Sequence, residues 1–394
     1  MNTKRYFSTR NRCIVIGACL ILAASVALYS MYGASTADAE SIVDRCTEAA
    51  DHASCYEREV PALAGEQSIP DLFEMIRTIR RLDSSYQFCH VLAHKLGEDA
   101  VAKDPSLWLD LMVLNPSDGM CSNGFLHGII VGKFRNDVLD DSTLEKTIPD
   151  FARACEPRVG WSPTPLDQAI CYHGMGHLFM FITNADITKS LSTCDRISQS
   201  KSGNFERVCR EGVFMQIYQP LEPDDFALIE LLPVAPTREN YRALCAGYDD
   251  ADEGACLREA WPYFRDDILT GSGVALFCSG QPNADEESAC YEAVTTIIGR
   301  QLLGDAGGVS KACDAIPNER RSTCYTASAQ AFLEEDRSDG ARAIEICNRA
   351  SGVIGPECIS TLVARADWIF GHGSEGHHAF CMKVPEEFEK ACLD

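Results

Sequence analysis

Residues Cys324–Cys347 read CYTASAQAFLEEDRSDGARAIEIC. The opening part is rich in Ala, Leu, Gln and Glu, residues that lose little side-chain freedom in a helix. Arg337-Ser338-Asp339-Gly340 interrupts it, and Asp339 is suited to cap a second short helix, Ala341 to Cys347. Asn348 to Pro356 then leads to the next unit. In other units this link carries Pro317 or Pro385, seven residues before Cys324 or Cys392. Pro followed by Glu is a helix-start signal, because Pro lacks the N–H that a first turn leaves unpaired and Glu favours the positive end of the helix dipole. The stretch is therefore a helix–turn–helix hairpin, and no unit shows the alternation of a strand.

The hairpin repeats outward. Cys256, Cys290, Cys324, Cys358 and Cys392 are each 34 residues apart. Cys245, Cys278, Cys313, Cys347 and Cys381 run beside them at separations of 33, 35, 34 and 34. A period of this size marks a helical solenoid, in which each unit buries its apolar face against the next. Cys209 to Cys245, Cys171 to Cys194, Cys121 to Cys155 and Cys55 to Cys89 enclose further hairpin-sized segments. The expected fold is all-α, an α-solenoid of about eight disulfide-stapled helix–turn–helix repeats. Over most of residues 40–394 the array resembles tetratricopeptide-type repeats in period and helix pairing. The resemblance stops there, since the aromatic and small-residue pattern of those repeats is not matched.

The chain contains 20 cysteines, and two of them, Cys13 and Cys19, fall in an apolar N-terminal run. The other 18 can pair across the links between hairpins or across the ends of each hairpin. Pairing across hairpins strands Cys46 and Cys392. Pairing across links, from Cys46–Cys55 to Cys381–Cys392, uses every cysteine and is the expected scheme. Each link then closes a loop that restricts the unfolded chain by about 3 kcal/mol in the chain-entropy picture.

So many disulfides point to an oxidising compartment. Lys4, Arg5, Arg10 and Arg12 precede an uncharged run over 13–32, a basic region followed by an apolar one. Two readings remain: a signal peptide cleaved after Ala37-Asp38-Ala39, or a retained anchor long enough to span a bilayer. Either places residue 40 onward outside the cytoplasm, in the periplasm or at the cell surface. The expected division is a signal or anchor over 1–39, N-terminal repeats over 40–220 and regular repeats over 221–394. The formal charge of −23 argues against nucleic acid or an anionic membrane surface as partner. Membrane contact is expected only through the N-terminal segment.

Of nine histidines, five lie between His90 and His177. His90 and His94 are four apart on one helical face, which Glu98 extends by a turn. His173 and His177 repeat the spacing. His127 and His177 both stand six residues after a cysteine, where the next unit has Met215. Gly124, Gly174 and Gly212 share another register position, three after a cysteine. Glycine inside a helix usually marks a close backbone approach, since it costs about 1 kcal/mol against alanine.

The functional reading is a transition-metal site of zinc, copper or iron, nickel being equally compatible with imidazole. Its ligands would be His90, His94, His127, His173 and His177, with Glu98 as a further ligand or an orienting group. The structural reading is that these histidines pack between close helices, hydrogen-bonded to backbone or to Glu98. The zincin motif H-E-x-x-H and the haem motif C-x-x-C-H are both absent. A second group, Gly371 to His378, reads as a solvated turn between the helices of the last full unit, although short His-rich tracts can bind metal weakly. Two function classes follow: a metal-binding protein, with catalysis left open, or a non-enzymatic scaffold whose solenoid surface binds another exported protein.

Overall fold

The computed structural model describes residues 36–86, 88–134, 137–199, 205–221, 223–302, 305–335, 337–338 and 340–394. Among them the fold is all-α, with only an isolated bridge between Arg158 and Trp161. The apolar run 13–32 and the cap Asp339 lie outside the described residues. No described helix is long and apolar enough to cross a membrane.

Two compact units divide the chain, residues 1–87 and 88–394. The first contains α1 (36–46), α2 (His52–Glu59) and α3 (Ile69–Leu82). Ser68 caps α3 by accepting the Asp71 N–H, and Leu72, Phe73, Met75, Ile76 and Ile79 form its buried stripe. Beyond α3 the buried Asp83 accepts hydrogen bonds from Tyr56 Oη (2.9 Å) and the Ser85 hydroxyl (2.5 Å). Burial opposes its ionisation, but the bonds from Ser85, Tyr56 and His52 prevail and hold its carboxyl down at about 2.

In the second unit α4 (His90–Lys103) and α5 (Trp108–Leu111) precede α6 (Gly124–Phe134) and α7 (Asp141–Ala154). Next come α8 (Pro165–Ile182), α9 (Ile187–Ser198), α10 (Phe205–Tyr218), α11 (Pro223–Ile229) and α12 (Tyr241–Cys245). They are followed by α13 (Asp250–Glu259), α14 (Arg265–Leu269), α15 (Val274–Cys278), α16 (Ala284–Gln301) and α17 (Ala306–Ala315). The chain ends with α18 (Arg321–Glu335), α19 (Gly340–Arg349), α20 (Ile354–Phe370), α21 (Glu375–Cys381) and α22 (Glu386–Leu393). Pro317 and Pro385 stand at the N-terminal boundaries of the helical segments ahead of Cys324 and Cys392.

The disulfides are those of the link scheme: Cys46–Cys55, Cys89–Cys121, Cys155–Cys171, Cys194–Cys209, Cys245–Cys256, Cys278–Cys290, Cys313–Cys324, Cys347–Cys358 and Cys381–Cys392. Most tie the C-terminal part of one helix to the next helical segment, whereas Cys89 stands at the N-terminus of α4. The Cys89–Cys121 link is long because it contains α4 and α5.

In the second unit, α4, α6, α8, α10, α13, α16, α18 and α20 each pack on the next. Such an order is compatible with stacked hairpins. It is not restricted to local contacts, as a simple array would be. Helix α20 also packs on α8, and Leu166 of α8 joins the apolar core of the C-terminal helices. Arg337 binds Asp167 Oδ1 at 2.5 Å and the Ser117 carbonyl at 3.0 Å. Ser122 donates to Glu335. Ser122 belongs to a left-handed run, with φ of 57° at Cys121, 49° at Ser122 and 54° at Asn123. This conformation is costly without glycine. The Cys89–Cys121 disulfide, the Glu335 contact and an Asn115–Asn123 hydrogen bond (2.6 Å) all bear on it.

Candidate metal centre

Helix α6 packs against both α4 and α8, and α10 packs against the far side of α8. Glycines set the spacing. A side chain on Gly124 would collide with the His90 carbonyl, one on Gly128 with the His94 carbonyl, and one on Gly212 with the His173 carbonyl. A methyl at Gly174 would come within 2.6 Å of the His127 ring. The register glycines are thus positions of close approach, and the histidine-bearing turns lie opposite them.

Five imidazoles come together in a continuous row. Ring centroids are 6.4 Å apart for His90–His94, 5.3 Å for His90–His127 and 6.1 Å for His127–His173. They are 5.8 Å apart for His127–His177 and 4.9 Å for His173–His177. Of the five only His127 is buried, and the others keep partial exposure. Several ring nitrogens are held by the adjoining helix. The His90 ring bonds the Cys121 backbone, His127 Nε2 lies 3.1 Å from the Ile170 carbonyl, and His173 Nδ1 lies 3.0 Å from that of Val208. His177 Nδ1 meets Gln216 Oε1 at 2.7 Å. Glu98 Oε1 is 3.5 Å from His94 Nδ1, near enough to orient that ring.

Burial favours the neutral form at four of these rings, His90, His127, His173 and His177. Burial pushes the His90 imidazole down to about 3, assisted by its neighbouring histidines. Burial and the mutual repulsion of the rings also hold His127 and His173 well below the ordinary value, and burial lowers His177. Arg300 of α16 adds to the lowering at His90 and His173. Neutral imidazole is the form that ligates a metal. In this conformation, however, the donor atoms of no three of these residues come within 4.8 Å of one another. A metal would need rotation of at least some rings, so the geometry is that of a donor-rich surface rather than a closed cage.

Several neighbours were not read as site residues from the sequence. Met215 Sδ lies 3.1 Å from His173 Nε2, and Gln216 relays from His177 to Asp225 at 2.8 Å. Glu259 of α13 accepts from Gln219 at 2.7 Å, and burial together with Glu211 raises its carboxyl to about 8. Met215 was visible as the occupant of the His127 register position. Glu259 had no such signal.

A second donor group lies in the last hairpin. Asp367, His372 and His377 have ligand atoms within 4.8 Å of one another. His377, Cys381 and Cys392 also meet that limit, but the two sulfurs are joined as a disulfide and offer no thiolate. The expectation of a solvated turn fails at His377, which is 1% exposed and stands in α21 rather than in the turn.

The class defined by these features is a disulfide-stapled, all-helical protein with a row of five histidines and a separate close donor group of Asp367, His372 and His377. Comparison with known proteins adds no relative: no family model, no curated protein and no solved structure matches the chain.

Proposed function

We propose that this is an exported helical-repeat protein that binds a transition metal through His90, His94, His127, His173 and His177, with Glu98 orienting His94. The observation that carries the reading is the row of five neighbouring imidazoles, supplied by α4, α6 and α8 at glycine-enforced close approaches. A purely structural role would need no such concentration of nitrogen donors on one partly exposed surface. Nine disulfides fit an oxidising, extracytoplasmic compartment. Within the export reading, the geometry around Ala37–Ala39 supports a retained anchor. Ala39 is buried within α1, and Gln67 donates to Asp38 at 3.1 Å, so cleavage after Ala39 would remove part of a packed helix.

The test is metal analysis of the protein refolded with Zn²⁺, Cu²⁺, Fe²⁺ or Ni²⁺ and then dialysed. His94→Ala and His177→Ala are each expected to lower bound metal, because each removes a donor from a shared group. Wild-type protein that retains none of the four metals would end the reading.

A further inference from the structure

We propose a second, independent cation site at Asp367, His372 and His377, suited to a zinc-type divalent metal. It does not depend on the five-histidine row.

The turn after α20 brings the three residues together. Gly371 (φ +79°) and Gly373 (φ +68°) are both left-handed, a conformation glycine adopts without steric cost. They fold His372 back onto the end of α20, where its Nδ1 lies 3.0 Å from Asp367 Oδ1. Ser374 then caps α21 by accepting the His377 N–H. One turn into that helix, the His377 ring points back, and its Nε2 lies 3.3 Å from the same Asp367 oxygen.

Two independent observations point to a ligand. The first is spacing. Donors bound at 2.0–2.1 Å to a tetrahedral zinc ion lie about 3.3 Å apart along the edges of the tetrahedron. The two nitrogen–oxygen distances, 3.0 and 3.3 Å, are close to that edge. The second is burial. His377 is 1% exposed, yet its Nε2 makes no hydrogen bond among the described residues. A buried ring nitrogen without a hydrogen bond is costly, and coordination would satisfy it.

Two imidazoles and one carboxylate are a donor set for zinc with a position left to water. Asp367 and His372 are 60% and 63% exposed, so a cation enters from solvent and water can complete its sphere. Both rings must change tautomer: His372 Nδ1, which donates to Asp367 in the metal-free protein, loses its proton to solvent as Nε2 takes one up. The Gly373 N–H donates to His377 Nδ1 at 3.2 Å, which places the ring proton on Nε2 in the metal-free protein. On binding, Nε2 loses that proton to solvent and turns its lone pair to the metal, while Nδ1 takes a proton from solvent, so the ring changes tautomer with no net proton released. The Gly373 contact is released, in a turn bounded by two left-handed glycines.

The experiment uses the full chain with its disulfides intact, stripped by chelator and titrated with Zn²⁺ at neutral pH against a chromophoric competitor. Wild type is expected to bind one equivalent more than His372→Ala or Asp367→Asn. These exposed positions can be changed without disturbing the core, whereas His377→Ala changes a buried one. The remaining affinity at this site should fall about tenfold or more. His378→Ala is the control and should leave the stoichiometry unchanged. His177→Ala tests the other site separately and should leave this equivalent in place. The proposal is overturned if His372→Ala and Asp367→Asn bind Zn²⁺ with wild-type stoichiometry and affinity, or if wild type binds none.

Discussion

Met215 Sδ stands 3.1 Å from His173 Nε2, in the position on α10 that His127 holds on α6. The correspondence is one of register. Gly124 lies against the His90 carbonyl and His127 follows three residues later; Gly212 lies against the His173 carbonyl and Met215 follows three residues later. The α4–α6 and α8–α10 pairs are therefore two versions of one packing arrangement. One imidazole is exchanged for a thioether, and Gly128 for Gln216. A thioether is a soft donor and favours Cu(I) over harder ions.

Met215→Ala is accordingly expected to weaken Cu(I) by about tenfold or more while leaving Zn²⁺ nearly unchanged. Met215→His should bring the second pair toward the first and strengthen Zn²⁺. Competition titrations with chromophoric chelators measure both. Equal losses of Cu(I) and Zn²⁺ in the alanine variant would exclude a donor role for the sulfur.

Metal-free protein should lose stability as acid is added, and the histidine row sets the sign. His90, His127, His173 and His177 all have lowered folded values. Below about pH 6.5 the unfolded chain protonates these imidazoles while the folded chain resists. Their contribution is thus present above that pH and is lost progressively below it, toward about 3 for His90. Each proton contributes about 1.4 kcal/mol per pH unit. His127→Gln should flatten the acid limb by about one proton in urea unfolding followed against pH. An unchanged slope would mean that His127 is protonated in the folded state.

The closure between early and late helices should be a major source of stability. Arg337 is 6% exposed and pairs with Asp167 and the Ser117 carbonyl. Arg337→Ala leaves both acceptors without their cation and should cost about 3–5 kcal/mol, since breaking a buried pair strands its partner. Arg349→Ala is the comparison: that arginine is 45% exposed and pairs only with Glu345 four residues away. It should cost under about 0.5 kcal/mol. Equal urea midpoints for the two variants would show that the closure contributes nothing.

The local architecture was legible because it repeats. A cysteine every 34 residues gives the hairpin length, the count of 18 cysteines chooses the link scheme, and Gly124 and Gly212 mark close approaches at fixed offsets from a cysteine. The Arg337–Asp167 pair is separated by 170 residues and leaves no trace in any period. It depends on the packing of α8 against α20, elements far apart in the chain, which no single unit encodes. The burial of His377 escapes the sequence for a related reason. The tract from 371 to 378 is polar and glycine-rich, but α21 turns His377 inward onto the core while His372 and His378 stay outside. Asp367 lies in the preceding helix, so its part in that group emerges only when the turn folds back.

Cysteine chemistry tests pairing and anchoring together. All 18 cysteines from Cys46 to Cys392 are in disulfides, which leaves Cys13 and Cys19 as the remaining cysteines of the chain. If the N-terminal segment is retained, titration of the denatured, unreduced protein should find two thiols, and peptide mapping should assign them to Cys13 and Cys19. Cleavage after Ala39 would give none and a correspondingly lower intact mass, which would refute the anchor while leaving the pairing intact. A thiol at any position from Cys46 onward would instead count against the link scheme. Reactive Cys46 and Cys392 together would be specific to pairing across hairpins, because only that scheme leaves those two cysteines over.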